Sequence, residues 1–264
     1  MSRLYNRVAQ LNVNGREFNY PPFSIEFEQN VAVGSLSSAT VKLYNPAPDT
    51  IKAAEGIKEG RSFTYPYLTV DAGYSDNFGT CIIGEISDYK VSQSGADKIL
   101  EMKVSDKTKD WANALINKTW KNTRANVIIR SMLATIDIDI GDINLGDNKL
   151  YTNLSVMYLR DGLKKIMKDT LSEYNFNSGV IEINPKTPTL KKVIQLTYTS
   201  GLIGKPEKTQ SGLKFKTLFM YQLNSGSIVN IVTNTINKNF KIKKGVKKFS
   251  TFGDSYCEWE AVEI

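Results

Sequence analysis

The 264-residue chain contains no histidine. That absence removes Ser-His-Asp and Cys-His nucleophilic systems, most zinc sites and the side chain that titrates near neutral pH. Cysteine is nearly absent too. Cys81 and Cys257 lie far apart and neither belongs to a CxxC pair, so a thiolate metal cluster is excluded, and two buried reduced thiols are expected rather than a disulfide framework. No apolar run approaches the roughly 20 residues of a membrane span. The opening Met-Ser-Arg-Leu-Tyr-Asn-Arg has no apolar stretch behind its charges, so neither anchor nor leader is expected, and synthesis in a cytoplasm is. Arginine vanishes from the last third: positions 185–264 hold 13 lysines, 5 acidic residues and no arginine, against a whole-chain charge of +7. All the excess positive charge sits there, without the forked donors that suit phosphate. A solvated strand face or protein interface is expected over a nucleic-acid groove.

What the chain has in quantity is period-two alternation. Phe23, Ile25 and Phe27 alternate with Ser24, Glu26 and Glu28. The pattern returns in Ala39-Val41-Leu43, Leu68-Val70-Ala72 and Ile82-Gly84-Ile86. One wet face and one dry face belong to antiparallel sheets. Arg7 to Val13 predicts a strand closed by the hairpin signal Asn14-Gly15. Asn45-Pro46-Ala47-Pro48-Asp49 predicts a turn before a short helix, Thr50 to Glu55, capped by Asp49. About seven strands are predicted by Val104, enough to close a small barrel.

After Asp106 the period lengthens. Trp111 and Leu115, then Val127, Ile128, Met132 and Leu133, and later Met157, Leu163, Ile166, Met167 and Leu171, have amphipathic-helix spacing, with a short strand or loop at Ile136 to Ile143. Alternation resumes at Val180-Ile181-Glu182-Ile183-Asn184-Pro185. Further strands are predicted at Lys192 to Tyr198, Leu213 to Leu223, Ser227 to Thr233, Asn239 to Lys243, Val246 to Phe252 and Cys257 to Val262, with Gly226 and Gly245 as turns. The fold class expected is α+β, mainly β: two antiparallel β-barrel domains, 1–106 and 181–264, separated by a small α/β insertion, 107–180.

Catalytic signals are weak. Asp137, Asp139 and Asp142 alternate with isoleucine as the wet face of a strand does. As a calcium loop the stretch fails, because Gly141 takes the third ligand position and Asn148 replaces the closing glutamate. Gly201-Leu202-Ile203-Gly204-Lys205-Pro206 lacks the glycine spacing and the Ser or Thr of a phosphate loop, and is read as a turn. Trp111, Trp120 and Trp259 read as core or interface anchors. Neither a catalytic centre, a cofactor nor a metal is expected. Lys243, Lys244, Lys247 and Lys248, read as solvent-facing like Lys241, are the candidate interface residues, for contact with an anionic neighbour.

Particular phrases carry a resemblance. These are Pro22-Phe23-Ser24-Ile25-Glu26-Phe27, Ser38-Ala39-Thr40-Val41-Lys42-Leu43-Tyr44-Asn45-Pro46, Val70-Asp71-Ala72-Gly73-Tyr74 and Ile83-Gly84-Glu85-Ile86 in the first part. In the last part they are Thr199 to Glu207, Gly212 to Leu218 and Gly253-Asp254-Ser255-Tyr256-Cys257-Glu258-Trp259-Glu260. In these and in the order of its parts the chain resembles the baseplate hub proteins of phage tails and related contractile particles. The resemblance implies two tail-tube-like barrels per chain and a homotrimer that continues a hexameric tail tube and seats a trimeric central spike. Other baseplate proteins and a tape measure protein would be neighbours, and DNA would pass through the lumen in a phage. It also implies a structural role without enzymatic activity or cofactor, a place in the tail baseplate of a virion or phage-like particle after assembly in a bacterial cytoplasm, and no lytic domain after Ile264. The alternative from another class is a cell-wall glycan-binding or peptidoglycan-degrading tail protein using Asp137, Asp139 or Glu173.

Overall fold

The computed structural model describes residues 6–59, 62–106, 111, 113–136, 138–187 and 193–264. Strands β1 (Arg7–Val13), β2 (Arg16–Tyr20), β3 (Ile25–Ala32) and β4 (Ser38–Tyr44) lead into helix α1 (Pro48–Ala53) and the short pair β5 (Ile57–Glu59) and β6 (Ser62–Thr64). Strands β7 (Tyr67–Tyr74), β8 (Asn77–Ser94) and β9 (Asp97–Ser105) complete the first β region. A small α/β part follows: β10 (Leu115–Arg124), α2 (Ala125–Leu133), β11 (Asp139–Ile143), β12 (Leu150–Tyr158), α3 (Leu159–Asp169), β13 (Ser172–Asn177) and β14 (Val180–Pro185). The second β region holds β15 (Val193–Leu196), β16 (Leu202–Thr209), β17 (Gly212–Leu218), β18 (Ile228–Val232), β19 (Asn237–Ser250) and β20 (Tyr256–Glu263). The protein is mainly β, and its sheets are antiparallel except for the parallel pairs β11·β14 and β15·β18.

Alternation builds the first β region as its sequence predicts. Ala9, Leu11 and Val13 of β1, Leu68, Val70 and Ala72 of β7, and Leu100, Met102 and Val104 of β9 all point into one core. Asn14 and Gly15 both take positive φ, 49° and 88°, as a two-residue hairpin turn of matching twist requires. The short helix begins at Pro48 rather than Thr50, and Asp49 lies in its first turn instead of capping it, since the fixed φ of proline suits a first helical position.

The two β regions are hydrogen-bonded edge to edge. One sheet of thirteen strands runs β16-β17-β20-β19-β3-β4-β9-β8-β7-β1-β2, with β18 and β15 branching from β19. The joint is the antiparallel pair β19·β3, in register from Lys244↔Ala32 to Ser250↔Glu26. It exists because β19 does not stop at Gly245. The sequence reading placed a turn there between two strands, whereas the chain runs straight through, and a Cβ at Gly245 would lie 2.1 Å from Cε3 of Trp259. Here the missing side chain admits an indole ring to the backbone instead of turning it. Across the joint Phe27 stacks on Phe249 at 5.5 Å between ring centroids, and Phe219 packs edge-on to Phe249 at 4.9 Å. One hydrophobic core therefore contains residues from both β regions.

The small α/β part has its own core, formed by Trp111, Trp120, Ile128, Met132, Leu163, Ile166, Phe176, Ile181 and Ile183 among others. One expectation is corrected here. Leu115 and Met157, read as helical, belong to the antiparallel strands β10 and β12. Strict alternation is lost in β10 because Asn117 and Asn122 take positive φ and the register shifts between Leu115 and Lys118, so the period is invisible in sequence. Strand β14 pairs with β11 and β13, and its Ile181 and Ile183 lie in this second core.

Gly245→Ala should cost about 2–3 kcal/mol, because the new methyl must displace the Trp259 ring or part β19 from its neighbours. Urea unfolding should show a lowered midpoint, and an unchanged midpoint would mean the ring is not held against this backbone.

Candidate functional site: paired charges on the sheet and buried lysines beneath it

The sheet face opposite the core is built from the polar alternates of β17, β20, β19, β3, β4, β9 and β8. Register sets lysine beside carboxylate across almost every strand boundary. Lys214 and Lys244 flank Glu260 at 3.3 and 2.9 Å, and Lys216 reaches Glu258 at 3.7 Å. Lys248 meets Glu28 at 3.1 Å, Lys42 meets Glu101 at 3.8 Å, and Lys103 meets Asp88 at 2.9 Å. Lys216 also sits 3.4 Å from the centroid of the Tyr256 ring. The hydrogen bond from Lys244 holds the Glu260 carboxyl below its ordinary range, and the bond to Glu28 raises the Lys248 amine. Such exposed pairs contribute little stability, about 0–1 kcal/mol each. Their consequence is a face of alternating charge that crosses from one β region to the other.

The candidate lysines divide between this face and the interior. Lys244 and Lys248 lie on it, each beside a carboxylate. Lys243 is half-exposed and donates to Glu173 Oε2 at 2.8 Å. Lys247 contradicts the expectation of a solvent-facing residue. It is fully buried, with its Nζ donating to the Tyr221 carbonyl at 3.0 Å and to Asn224 Oδ1 at 2.5 Å. Its register neighbours are Cys257 and Gln29. Both cysteines are free and buried, as expected. Burial lowers the Lys247 amine from 10.5 and pushes the thiols of Cys81 and Cys257 up to about 12 and about 11.

Lys241 is buried as well, and so corrects the same expectation. It pairs with Glu173 Oε1 at 2.5 Å and donates to the Pro185 carbonyl at 3.2 Å. Glu173, a candidate acid of the glycan-cleaving alternative, is thus gripped by Lys241 and Lys243. Its place is a strut between β13 and β19. Tyr174 of the same strand and Ser178 in the turn after it fasten the small part to the first β region: Tyr174 OH donates to the Gly34 carbonyl at 2.7 Å, and Ser178 Oγ donates to the Thr80 carbonyl at 3.1 Å. Asp139 is exposed on β11, and Asp137 lies outside the described residues. Among the described residues no three His, Cys, Asp or Glu gather as a metal-ligating group, and no helix is long and apolar enough to cross a membrane. The segment read as a turn at Gly201 to Pro206 is the edge strand β16, bulged between Ile203 and Glu207. An edge is the one place in a sheet where Pro206, lacking an N–H, is tolerated.

No protein-family model matches the chain, and no curated protein sequence matches it. Solved structures do. The 43 kDa tail protein of prophage MuSo2 from Shewanella oneidensis superimposes with a TM-score of 0.71 at 10% identity, over 97% of each chain. A tail protein from Neisseria meningitidis MC58 gives 0.68 at 8% identity, over 98% of this chain and 97% of the other. The E. coli c3393 protein, described as a type VI secretion component similar to the T4 tail proteins gp27 and gp5, gives 0.67 at 12% identity, over 96% of this chain and 76% of its own. The chain has the fold of these tail proteins over nearly its whole length.

Two outcomes follow from the buried charges. Glu173→Ala should cost about 3–5 kcal/mol by leaving Lys241 buried without its partner, whereas half-exposed Lys243→Ala should cost about 1 kcal/mol or less, both read by denaturant unfolding. For Lys247, the folded state binds fewer protons than the unfolded chain, so this group's contribution rises with pH up to 10.5. The thiols act in the opposite sense, their contribution being complete below 9.0 and lost as pH rises through about 11 to about 12. Lys247 pulls both thiols down, so Lys247→Met raises them further and leaves them protonated in the folded chain below about 11. The stability difference should move in favour of the native chain from pH 7 toward pH 10.5, and a flat difference would mean the amine is charged in the folded core.

Proposed function

We propose that the protein is a structural, non-enzymatic baseplate hub of a phage or phage-like contractile tail, a homotrimer that joins a hexameric tail tube to a trimeric central spike. The observation that carries this reading is the β3·β19 joint. Two antiparallel β units sit side by side in one sheet, so a single chain supplies two adjacent segments of a ring, and three chains supply six. The run β16-β17-β20-β19-β3-β4-β9-β8 ends in unpaired edges: β16 on one side, and on the other residues 86–94 of β8, which pair only with β9 among the described strands. Neighbouring copies that cover these edges remove the aggregation hazard of an open sheet.

The paired-charge face is the wall that lines the lumen in this reading. It is continuous across both units and too hydrated for a dry subunit interface. Because its lysines are matched by carboxylates, it presents no basic groove to hold a passing polyanion such as DNA. In this reading the units are those expected from the sequence, 1–106, 107–180 and 181–264, with the last boundary moved to Pro185 because β14 pairs with β11 and β13. The tail tube protein, the spike, other baseplate proteins and a tape measure protein are the partners in the assembled particle. The fold shared with tail and type VI secretion proteins supports this assignment.

Light scattering on the purified chain, alone and co-expressed with its tube and spike partners, should give three times the 29.6 kDa protomer mass. A monomer in every condition overturns the hub reading.

A further inference from the structure

The outward face of the small sheet is made almost entirely of oxygen-bearing side chains. Tyr174, Phe176, Ile181 and Ile183 alternate inward to the core, which leaves Glu173, Asn175 and Asn177 of β13 and Glu182 and Asn184 of β14 on the other side. That side faces the loop 222–228 across a cleft of about 440 Å³. At one end Glu173 is neutralised by Lys241 and Lys243. Asp142, exposed at the rim, and half-buried Glu182 have no ion-pair partner among the described residues.

Three buried polar atoms lining the cleft have no hydrogen-bond partner: Asn175 Oδ1, Asn177 Oδ1 and Ser225 Oγ. Asn175 and Ser225 are each 2% exposed. The amide of Asn177 is held by its Nδ2, which donates to Glu182 Oε2 at 3.0 Å and leaves the oxygen without a partner. Asn175 is seated against Gly226, where a Cβ would meet its amide nitrogen at 2.5 Å. Asn175 and Glu182 are direct cross-strand neighbours, and Gly141 brings β11, with Asp142, against Glu182. Orphaned buried acceptors are costly to leave without a partner. Two carboxylates without an ion partner, two amide oxygens and a hydroxyl thus line the cleft, while the lysine in its lining, Lys241, is engaged by Glu173.

We propose that this cleft binds a hard divalent cation of the calcium type, through the carboxylates of Asp142 and Glu182 and the oxygens of Asn175, Asn177 and Ser225. Calcium takes six to eight oxygens, from carboxylates, amide carbonyls and water alike, in flexible geometry. The cleft has room for an ion that keeps part of its water. The site departs from the expectation of a protein without metal, and it is assembled across strands and a facing loop, which is why loop-type ligand spacing does not betray it. Its ligands come from both walls, so the ion ties the small unit to the second β unit. This holds whether or not the protein is a tail hub.

The test is calorimetric titration of CaCl₂ into the full-length chain after EDTA treatment, with thermal unfolding in CaCl₂ and in EDTA. Saturable binding with Kd on the order of 10⁻⁴ M, a higher Tm in calcium than in EDTA and weaker binding of MgCl₂ are expected. Asp142→Asn, at an exposed position, should keep the native circular dichroism and weaken calcium by roughly tenfold or more. Glu182→Gln, which keeps the shape of the side chain, should do the same. Absence of heat and of a Tm difference overturns the proposal, and so does calcium binding that both variants leave unchanged.

Discussion

The pairing of β3 with β19 is the constraint on which the rest of this molecule depends. Residues 26–32 and 244–250 lie more than 200 positions apart, so this ladder carries a large closure entropy that only burial can offset. The offset is visible around it. Phe27, Phe219 and Phe249 stack across the joint, Gln29 reaches through to the Cys81 carbonyl at 2.9 Å, and Trp259 lies against the bare backbone of Gly245, donating from Nε1 to Thr217 Oγ1 at 3.2 Å. Without the joint, β3 and β19 would each be an exposed edge. With it, one core serves both β regions, and the small unit gains a fixed platform on which β13 can touch each of them.

The same ladder decides what the lysine-rich third does. Period-two geometry sends Lys244, Val246 and Lys248 to one face and Gly245, Lys247 and Phe249 to the other. The outer lysines fall in register with Glu260 and Glu28. The inner one is taken into the core with two backbone and side-chain oxygens as its acceptors and no carboxylate. A net charge concentrated in one third of a chain therefore need not mean a basic surface, since part of it is cancelled pairwise across strands and part is removed from solvent altogether. Long-range attraction depends on uncompensated charge, and the paired face offers little.

Legibility in the sequence followed how local each signal is. The longer strands of the first β region, the Asn14-Gly15 turn, the buried thiols and helices α2 and α3 are set by neighbours a few residues away and could be read, whereas the short pair β5 and β6 was not. The failures are positions where a distant partner decides. Gly245 looks like punctuation unless Trp259 is known to lie over it. Strand β16 looks like a turn because Gly204 and Pro206 are edge-strand residues, and β10 hides its period behind two left-handed asparagines. Lys247 was nearer to being legible. Adjacent Lys247 and Lys248 in one strand cannot both face water on a sheet with one dry side, so one of them had to be buried, and only the phase of the alternation, fixed by Phe249, says which. The outward face of β13 and β14 carried a comparable signal: alternate Glu, Asn and Asn opposite Glu and Asn is an unusual density of side-chain oxygens, but its meaning depends on the loop that covers it.

The interface between the small unit and the second β unit is thus polar by construction, and that has a mechanical consequence. Apolar interfaces tolerate sliding, because dispersion and hydrophobic burial are non-directional. A contact made of a buried Glu173–Lys241 pair reinforced by half-exposed Lys243 is directional. Glu173 between Lys241 and Lys243 sets the angle at one end of β13, and Tyr174 and Ser178 fix the same strand to the first β region through backbone carbonyls. A rotation of the small unit about the joint would break charge-assisted bonds in low dielectric, where they are strongest. Such a unit can transmit force or position from one β region to the other as a rigid strut. The oxygen-rich cleft holds buried acceptors that find no partner among the described residues, so a ligand bound there would complete the same strut rather than add a new one.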